Sequence, residues 1–469
     1  MAQGITIGVV GVGYVGLVSA ACFAELGHTV VCRDIVEEKV ARLREGHVPF
    51  YEPGLSDLVV RNRQRLTFTT DIREVTDNAE LIFVCVPTPS MYSGDADLSY
   101  VESVINELPS DTRDVILVMK STVPVGTGRR MRELLEQRGL GHVRYVSTPE
   151  FLKEGDAIAD FMHPDRVVIG GDDEGAIDAV AALHRPLETQ IVRTDIATAE
   201  MIKYASNAFL ATKISFINEI ANVCEETGAD VITVAEGMGL DKRIGKHFLR
   251  AGIGFGGSCF PKDVAALKQL AGNSGYHFQL LNAVIEVNEL QKRRLVGKLV
   301  KHLGPLRGKT ITLLGLSFKP GTDDMREAAS LVISSRLLAE GALVRGYDPI
   351  ANEPARAMLQ GVDVYDDVLE AVRGADAAVL VTEWPQFSEL NLPSIAEVMS
   401  TPLLIDGRNL FSPQQAAQAG LTYEGIGRPG ATTGAPYRRS TDRVADDGGN
   451  ATPISRLAGD AAAAGEAER

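Results

Sequence analysis

Three glycines near the start of the chain constrain its fold more than any other feature. Gly11, Gly13 and Gly16 follow an apolar stretch typical of a buried strand and open a helical pattern. A second strand pattern, Thr29 to Cys32, runs into Asp34. This order predicts a βαβ unit whose glycines admit a pyrophosphate and whose acid accepts hydrogen bonds from an adenosine ribose, which favours NAD over NADP. The residues predicted to contact the cofactor here are Gly11, Val12, Gly13, Tyr14, Val15, Gly16, Asp34 and Lys39.

Two alternatives stay open for this segment. The glycine loop could be a purely structural turn, and Lys39 could be an ordinary solvated lysine on a helix instead of a phosphate or ribose contact.

The same strand–turn–helix order begins again at Lys309. A strand pattern at Thr310 to Leu314 is followed by a glycine-containing turn, a helix from about Ala328 to Glu340 and a strand that ends at Asp348. Buried-strand patterns also occur at 81–86, 115–119, 144–147, 377–382 and 403–406. The chain therefore predicts an α/β fold with two Rossmann-like, doubly wound domains and parallel sheets.

A helical region separates the two domains. One long helix is predicted from about Thr198 to Thr227 and further helix from about Phe278 to His302. Its apolar positions suit a dimer interface or equally a buried intrachain helix. The predicted boundaries are 1–197 for the NAD-binding domain, 198–303 for the helical centre, 304–427 for the second Rossmann-like domain and 428–469 for a disordered tail.

Charge and cysteine content exclude several classes of protein. The formal net charge of -15 argues against a general surface for nucleic acid or anionic membrane. No apolar run reaches the roughly 18 residues that span a bilayer, and the start lacks a signal-peptide pattern. The five cysteines are scattered without metal-ligand spacing, so neither disulfides nor a metal site is predicted. We expect a cytoplasmic protein.

A cysteine follows a glycine-rich loop in the helical region. Cys259 stands directly before a helix pattern that Pro261 and Asp263 begin. The unpaired N–H groups and positive dipole of a helix amino terminus favour a thiolate, which makes Cys259 a candidate nucleophile. A small buried cysteine that only packs is the alternative reading.

Six motifs occur in order over about residues 4–427, and together they resemble the nucleotide-sugar dehydrogenases of the UDP-glucose/GDP-mannose dehydrogenase family. They are Gly11-x-Gly13-x-x-Gly16, Val86-Pro-Thr-Pro89, Lys120-Ser-Thr-Val-Pro-Val-Gly126, Pro149-Glu-Phe-Leu-x-Glu-Gly155, the Cys259 loop, and Gly315-x-x-Phe-Lys-x-x-Thr-x-Asp-x-Arg-Glu327. The resemblance implies NAD as cofactor, UDP-glucose as substrate and a homodimer. It also implies oxidation of the sugar C6 to UDP-glucuronate through a thiohemiacetal and a thioester on Cys259.

The resemblance also assigns roles to individual residues. Lys203 would stabilise oxyanions at C6 with Asn207 beside it, Asp263 and Thr122 would hold water, and Glu150 would be the acid/base in thioester hydrolysis. Further cofactor contacts implied are Thr88, Thr122, Glu154 and Arg326. The implied substrate contacts are Glu150, Phe151, Leu152, Lys203, Asn207, Arg243, Phe255, Gly256, Gly257, Phe318, Lys319 and Arg408, with Arg243 reaching the site of the other protomer.

Three other functions remain open at this point. GDP-mannose 6-dehydrogenase chemistry would use the same mechanism with a different pocket. A two-electron alcohol or hydroxy-acid dehydrogenase would leave Cys259 a packing residue, and a nucleotide-sugar sensor would bind ligand without turnover.

Overall fold

A computed structural model describes residues 4–429. The predicted tail lies outside this range except for its first two residues, 428 and 429. Within the range, two α/β domains flank a helical centre, which confirms the predicted fold class. The domain boundaries themselves stay predictions.

The amino-terminal domain is built on an eight-stranded sheet with the order β3-β2-β1-β4-β5-β6-β7-β8. Its strands are β1 Thr6–Val10, β2 Thr29–Arg33, β3 Leu66–Thr69, β4 Leu81–Val84, β5 Ile116–Met119, β6 Arg144–Ser147, β7 Arg166–Gly171 and β8 Gln190–Thr194. Its helices are α1 Tyr14–Glu25, α2 Glu37–Arg44, α3 Leu55–Arg61, α4 Ile72–Thr76, α5 Ser99–Glu107, α6 Thr127–Gln137, α7 Ala157–Met162 and α8 Glu174–His184. Apolar clusters cover both faces of this sheet.

One part of this sheet differs from the expectation of parallel strands. Strand β7 runs antiparallel to β6, while β8 is parallel to β7. The chain reaches β7 through the short helix α7, which contains only 6 residues. The whole connection, residues 148–165, is as long as the 11–28 connection between the parallel strands β1 and β2, so its length does not determine the direction of β7.

The helical centre begins with α9, Ile196–Thr227, a 32-residue helix that confirms the predicted long helix. Asp195 caps its first turn by accepting from the Thr198 N–H, and Gly228 ends it in a left-handed conformation. The remaining central helices are α10 Val231–Gly239, α11 Phe260–Asn273, α12 Gln279–Gln291 and α13 Arg294–Leu303. The helix predicted over 278–302 is thus interrupted at residues 292–293, where both residues keep helical backbone angles and only the hydrogen-bond ladder breaks.

The carboxy-terminal domain has a six-stranded parallel sheet with the order β11-β10-β9-β12-β13-β14. Its strands are β9 Thr310–Leu314, β10 Leu343–Tyr347, β11 Val362–Val364, β12 Ala377–Leu380, β13 Leu403–Asp406 and β14 Thr422–Glu424. Its helices are α14 Ala329–Ala339, α15 Asn352–Met358, α16 Val368–Val372, α17 Pro385–Ser388, α18 Leu392–Val398 and α19 Pro413–Gln418. Strand order reverses beside β1 in one domain and β9 in the other, and parallel α/β sheets bind ligands at such points.

Candidate active site

The glycine loop between β1 and α1 is shaped by close packing. A Cβ atom on Gly16 would lie 1.9 Å from the carbonyl oxygen of Gly11, so α1 approaches the loop as only glycine allows. A Cβ on Gly13 would meet nothing within 4 Å, and Gly13 faces a large cavity. The open space above Gly13 and the uncapped amino terminus of α1 fit the pyrophosphate of a dinucleotide.

Asp34 directly follows β2 and fixes the glycine loop on the side where the ribose of a dinucleotide would bind. Its Oδ2 accepts the Val12 N–H at 3.0 Å, its Oδ1 accepts the Val36 N–H at 3.1 Å, and Lys39 Nζ lies 3.0 Å from Oδ2. Asp34 and Lys39 both line the cavity. The loop and the acid therefore fit the adenosine half of NAD, the cofactor predicted from the sequence.

Asp348 is the corresponding acid of the second Rossmann-like domain, and its surroundings differ from those of Asp34. Asp348 is fully buried, and its Oδ2 accepts from the N–H groups of Leu316 and Ser317 and from Nε1 of Trp384 at 2.7, 3.1 and 3.0 Å. A carboxylate so enclosed has no face left for a ribose. The structure thus distinguishes the two domains, and only the first presents an acid to a dinucleotide.

A cavity of about 1100 Å³ connects the glycine loop with Cys259. It lies at the carboxyl ends of the strands of the first sheet, and the carboxy-terminal domain closes part of it. The predicted site residues that line it are Gly11, Gly13, Tyr14, Val15, Asp34, Lys39, Thr88, Thr122, Glu150, Leu152, Glu154, Gly257, Cys259, Asp263 and Arg326. The predicted residues that do not line it are Val12, Gly16, Phe151, Lys203, Asn207, Arg243, Phe255, Gly256, Phe318, Lys319 and Arg408.

Cys259 stands at the start of α11 as expected, but its pKa does not follow from that position. Burial is the largest cause that raises the pKa of the Cys259 thiol to about 11, and the Glu150 and Asp263 carboxylates contribute to the rise. The Lys203 ammonium lowers it without outweighing them. Burial and the neighbouring carboxylates therefore oppose the thiolate that the helix terminus favours.

A buried ion pair lies behind the thiol. Lys203 Nζ is 3.2 Å from Glu150 Oε1, and both side chains are nearly inaccessible to solvent. Glu150 Oε2 accepts the Leu152 N–H at 2.5 Å. Burial alone lowers the pKa of Lys203, but the nearby Glu150, Asp263 and Cys259 together raise it above its ordinary value. Lys203 is therefore a fixed cation next to the cysteine.

Asp263 is held from both sides. Asn207 Nδ2 donates to Asp263 Oδ2 at 2.6 Å, and Lys262 Nζ lies 2.6 Å from Oδ1. Lys203 and Asn207 lie on one face of α9, as their spacing predicts, and they contact Glu150 and Asp263 respectively. The structure brings these groups together around Cys259.

The glycine-rich loop before Cys259 contacts the carboxy-terminal domain. A Cβ on Gly257 would lie 2.6 Å from the Phe318 ring, so the ring packs directly on this loop, and Lys319 Nζ lies 5.8 Å from the centre of that ring. Arg408 Nη1 donates to the Gly254 carbonyl at 2.9 Å and its Nε donates to the Val381 carbonyl at 2.8 Å. Phe318 and Arg408 thereby fix the cysteine loop against the second sheet.

Other predicted substrate residues occupy varied positions. The Phe255 ring meets the Phe260 ring edge-on at 5.7 Å, and Gly256 packs against the Glu327 carbonyl. The Phe151 ring has the Arg166 guanidinium 3.7 Å from its centre. Arg243 lies on the surface, with 89% of its side chain accessible to solvent, and it pairs with Asp241. The structure does not bring Arg243 to the cavity of its own chain.

Glu154 and Arg326 lie where the two domains meet. Arg326 Nη2 is 3.5 Å from Glu154 Oε1 and 2.7 Å from Asp324 Oδ2, and Ser258 Oγ donates to Glu154 at 3.3 Å. Burial, followed by the Asp324 charge, raises the pKa of Glu154 to about 7.

Two threonines predicted to contact the cofactor also lie in the cavity. Thr88 Oγ1 donates to the Thr122 carbonyl at 2.8 Å.

The sequence reasoning missed Glu52. Tyr14 OH donates to Glu52, whose Oε2 and Oε1 accept the N–H groups of Gly155 and Ala157 at 2.6 and 2.8 Å. Glu52 thus fixes the loop that carries Glu150 and Glu154, and burial with this contact raises the pKa of Tyr14 above its ordinary range. An acid directly before a Pro-Gly turn gives no sequence signal for this role.

A dinucleotide pocket that ends at a cysteine and two carboxylates, with a buried lysine behind them, between two Rossmann-like domains, defines an NAD-binding dehydrogenase. Models of the UDP-glucose/GDP-mannose dehydrogenase family match residues 5–188 as the NAD binding domain, 197–290 as the central domain and 312–413 as the UDP binding domain. The chain belongs to this family, and its cofactor is NAD.

Individual relatives agree with this assignment. The chain is 49% identical over 429 residues to the UDP-glucose 6-dehydrogenase TuaD of Bacillus subtilis, covering 90% of this chain and 93% of the relative. It is 47% identical to a UDP-glucose 6-dehydrogenase of Pseudomonas aeruginosa, covering 90% and 97%. The structure of a UDP-glucose dehydrogenase from Pyrobaculum islandicum superposes with a TM-score of 0.85 at 38% identity, covering 91% and 99%.

Proposed function

We propose that the chain oxidises C6 of UDP-glucose to UDP-glucuronate in an NAD-dependent, four-electron reaction. The observation that carries the proposal is the position of Cys259 at one end of the cavity whose other end is the glycine loop. The relatives named as UDP-glucose 6-dehydrogenases support the same substrate.

The chemistry requires a group that retains the intermediate. NAD held by the glycine loop and Asp34 would accept a hydride in each of the two oxidations. Between them, the Cys259 sulfur bonds to the aldehyde carbon C6 and the thiol proton passes, directly or through a neighbouring group, to the carbonyl oxygen, which gives a thiohemiacetal. Loss of a hydride from C6 and of the hydroxyl proton then leaves a thioester. Water then adds to the thioester carbonyl and the C–S bond breaks. One alcohol, two NAD and one water thus yield one carboxylate, two NADH and three protons.

The charged groups around Cys259 suit these steps. The buried Lys203 ammonium would stabilise negative charge on the C6 oxygen, and Asn207 keeps the neighbouring Asp263 carboxylate in place. Glu150 would transfer protons during thioester hydrolysis, and Asp263 with Thr122 would hold the water. Since the free thiol has a raised pKa, formation of the C–S bond must be accompanied by removal of its proton.

We assign the nucleotide end to the second domain. Phe318 and Lys319 would contact the UDP moiety, and Arg408 would support the substrate through the Gly254 loop that it already binds. The match to a UDP binding domain over residues 312–413 supports this placement.

Stoichiometry tests the function directly. We expect two NADH per UDP-glucose, with UDP-glucuronate as the product identified by mass spectrometry. Strong turnover of GDP-mannose with none of UDP-glucose would reject the substrate, one NADH per sugar would reject the four-electron reaction, and binding without NADH would indicate a sensor.

We propose that a second copy of the chain completes the assembly. An apolar groove of about 420 Å³ lies between α9, α11 and α12, and around it Phe209, Tyr276 and Leu280 are 65%, 64% and 56% exposed. A partner covering this face would bury them and would explain why Arg243 projects into solvent. Sedimentation should show a dimer that F209E disrupts, while L343E, at an exposed leucine in the other domain, leaves it intact; a monomeric wild type would refute the proposal.

The compartment is a further proposal. All five cysteines are free thiols, which suits a reducing compartment, and we infer the cytoplasm. Among residues 4–429, no helix is both long and apolar enough to cross a membrane. Fractionation of the host cell with a tagged chain tests the location.

A further inference from the structure

Two cations lie at the ribose end of the dinucleotide cavity. Arg33 and Lys39 flank Asp34, and all three line the cavity. A basic side chain at this place is what NADP-binding domains use to hold the 2′-phosphate of the cofactor. The chain therefore carries the charges that would attract NADP as well as the acid that favours NAD.

Both cations already form ion pairs with carboxylates. Lys39 Nζ lies 3.0 Å from Asp34 Oδ2. Arg33 Nη2 lies 2.5 Å from Glu107 Oε2, and Arg33 Nε donates to the Thr70 carbonyl at 3.2 Å. Only 10% of the Arg33 side chain is accessible, so its guanidinium cannot turn toward a ligand while Glu107 holds it.

An acid at the position of Glu107 is unfavourable for the helix that carries it. It is the last residue of α5, where the negative end of the helix dipole disfavours an acid, and no basic residue stands in that turn. Ser103 Oγ, one turn earlier, donates to Glu107 Oε1 at 3.1 Å and helps to orient it. Such a local cost is typical of a residue retained for the site it serves.

We propose that Glu107 determines the specificity of this protein for NAD against NADP. It neutralises and immobilises Arg33 in the wall of the ribose pocket, which Ser103 and Tyr100 also line. A 2′-phosphate entering the pocket meets the carboxylates of Asp34 and Glu107, and the two cations beside it, Arg33 and Lys39, are paired with these acids. This inference rests on the dinucleotide site alone and holds whether or not UDP-glucose is the substrate.

Binding to the full-length protein without sugar tests the proposal. Titration calorimetry with NAD, NADP and adenosine 2′,5′-bisphosphate should show that E107A tightens binding of both 2′-phosphorylated ligands about tenfold or more, with NAD changed less than about threefold. The isosteric E107Q should shift in the same direction by a smaller factor. The gain should decrease with added salt, because it comes from a charge contact.

Two controls separate specificity from a structural role. E102Q removes an acid from the same helix that pairs with Arg130 and does not line the cavity, so it should change no affinity. R33M/E107A should lose the gain, since Arg33 supplies the new contact. Equal changes for NAD and NADP, no gain in either Glu107 variant, or a gain that persists in R33M/E107A would overturn the proposal.

Discussion

Asn207 Nδ2 donates a 2.6 Å hydrogen bond to Oδ2 of Asp263 and thereby joins the long helix α9 to the helix that Cys259 begins. Asp263 is almost completely buried, and Lys262 binds its other oxygen. The carboxylate therefore has a fixed orientation in the wall of the cavity.

Exchange of the two side chains tests whether the charge must lie on α11. We expect D263N to reduce kcat at least about 100-fold while NAD binding is kept, because a buried charge near the reacting carbon is removed. The exchanged pair N207D/D263N should recover thermal stability but not kcat, as measured by steady-state kinetics and circular dichroism melts. Full recovery of kcat would show that the position of the charge is unimportant.

Alkylation of the thiol should report its raised pKa. Since the pKa of Cys259 is about 11, the thiolate fraction rises about tenfold per pH unit below that value, and the rate with iodoacetamide in the ligand-free protein should keep rising beyond pH 9. The other four cysteines are buried, so C259S provides the background rate. A plateau at neutral pH would instead indicate a preformed thiolate.

Replacement of the nucleophile should separate binding from turnover. We expect C259S to bind NAD and UDP-glucose within about threefold of the wild type and to lose steady-state turnover by about 1000-fold or more, because a serine hydroxyl is a poor nucleophile here. C224S, a buried cysteine outside the cavity, is the matched control. An unchanged steady-state rate in C259S would eliminate the thioester route.

Replacing only one member of the Lys203–Glu150 ion pair should destabilise the folded protein. K203M leaves the Glu150 carboxylate buried without its cation, and we expect a loss of about 3–5 kcal/mol in the free energy of unfolding. In K203M/E150Q most of this loss should be recovered, since no buried charge remains, while activity stays absent. Urea unfolding followed by circular dichroism measures both; additive losses in the double variant would show that the two groups do not interact.

Glu154 should make stability depend on pH. Its pKa is raised from 4.5 to about 7, so the folded protein keeps a proton that the unfolded chain loses, and the free energy of unfolding falls between about pH 4.5 and 7. Glu154 contributes at most about 3 kcal/mol to this fall, and E154Q should remove that contribution, while Glu200, whose pKa burial also raises to about 7, keeps its own. Unfolding midpoints at pH 5 and pH 8 test this, with the exposed Glu133→Gln as control. A pH dependence that E154Q shares with wild type would assign it to other groups.

Local patterns were sufficient for much of the fold. Periodicity predicted α9 almost to its ends, and the glycines with Asp34 predicted the first βαβ unit, because each signal lies within a short segment. The strands β3, β7, β8, β11 and β14 were missed, as was the reversal at β7, since pairing between strands is decided by contacts that no single segment contains.

The sequence alone determined the parts of the site that are local: Cys259 at a helix start, Lys203 and Asn207 on one helical face, and Asp34 after a strand. Only the tertiary structure decided their chemistry. Glu150 meets Lys203 across 53 residues, Asn207 meets Asp263 across 56, and Arg408 binds the Gly254 carbonyl across 154. Burial and charge depend on such distant neighbours, and for that reason the Cys259 thiol has a raised pKa where its helix position alone predicts a lowered one.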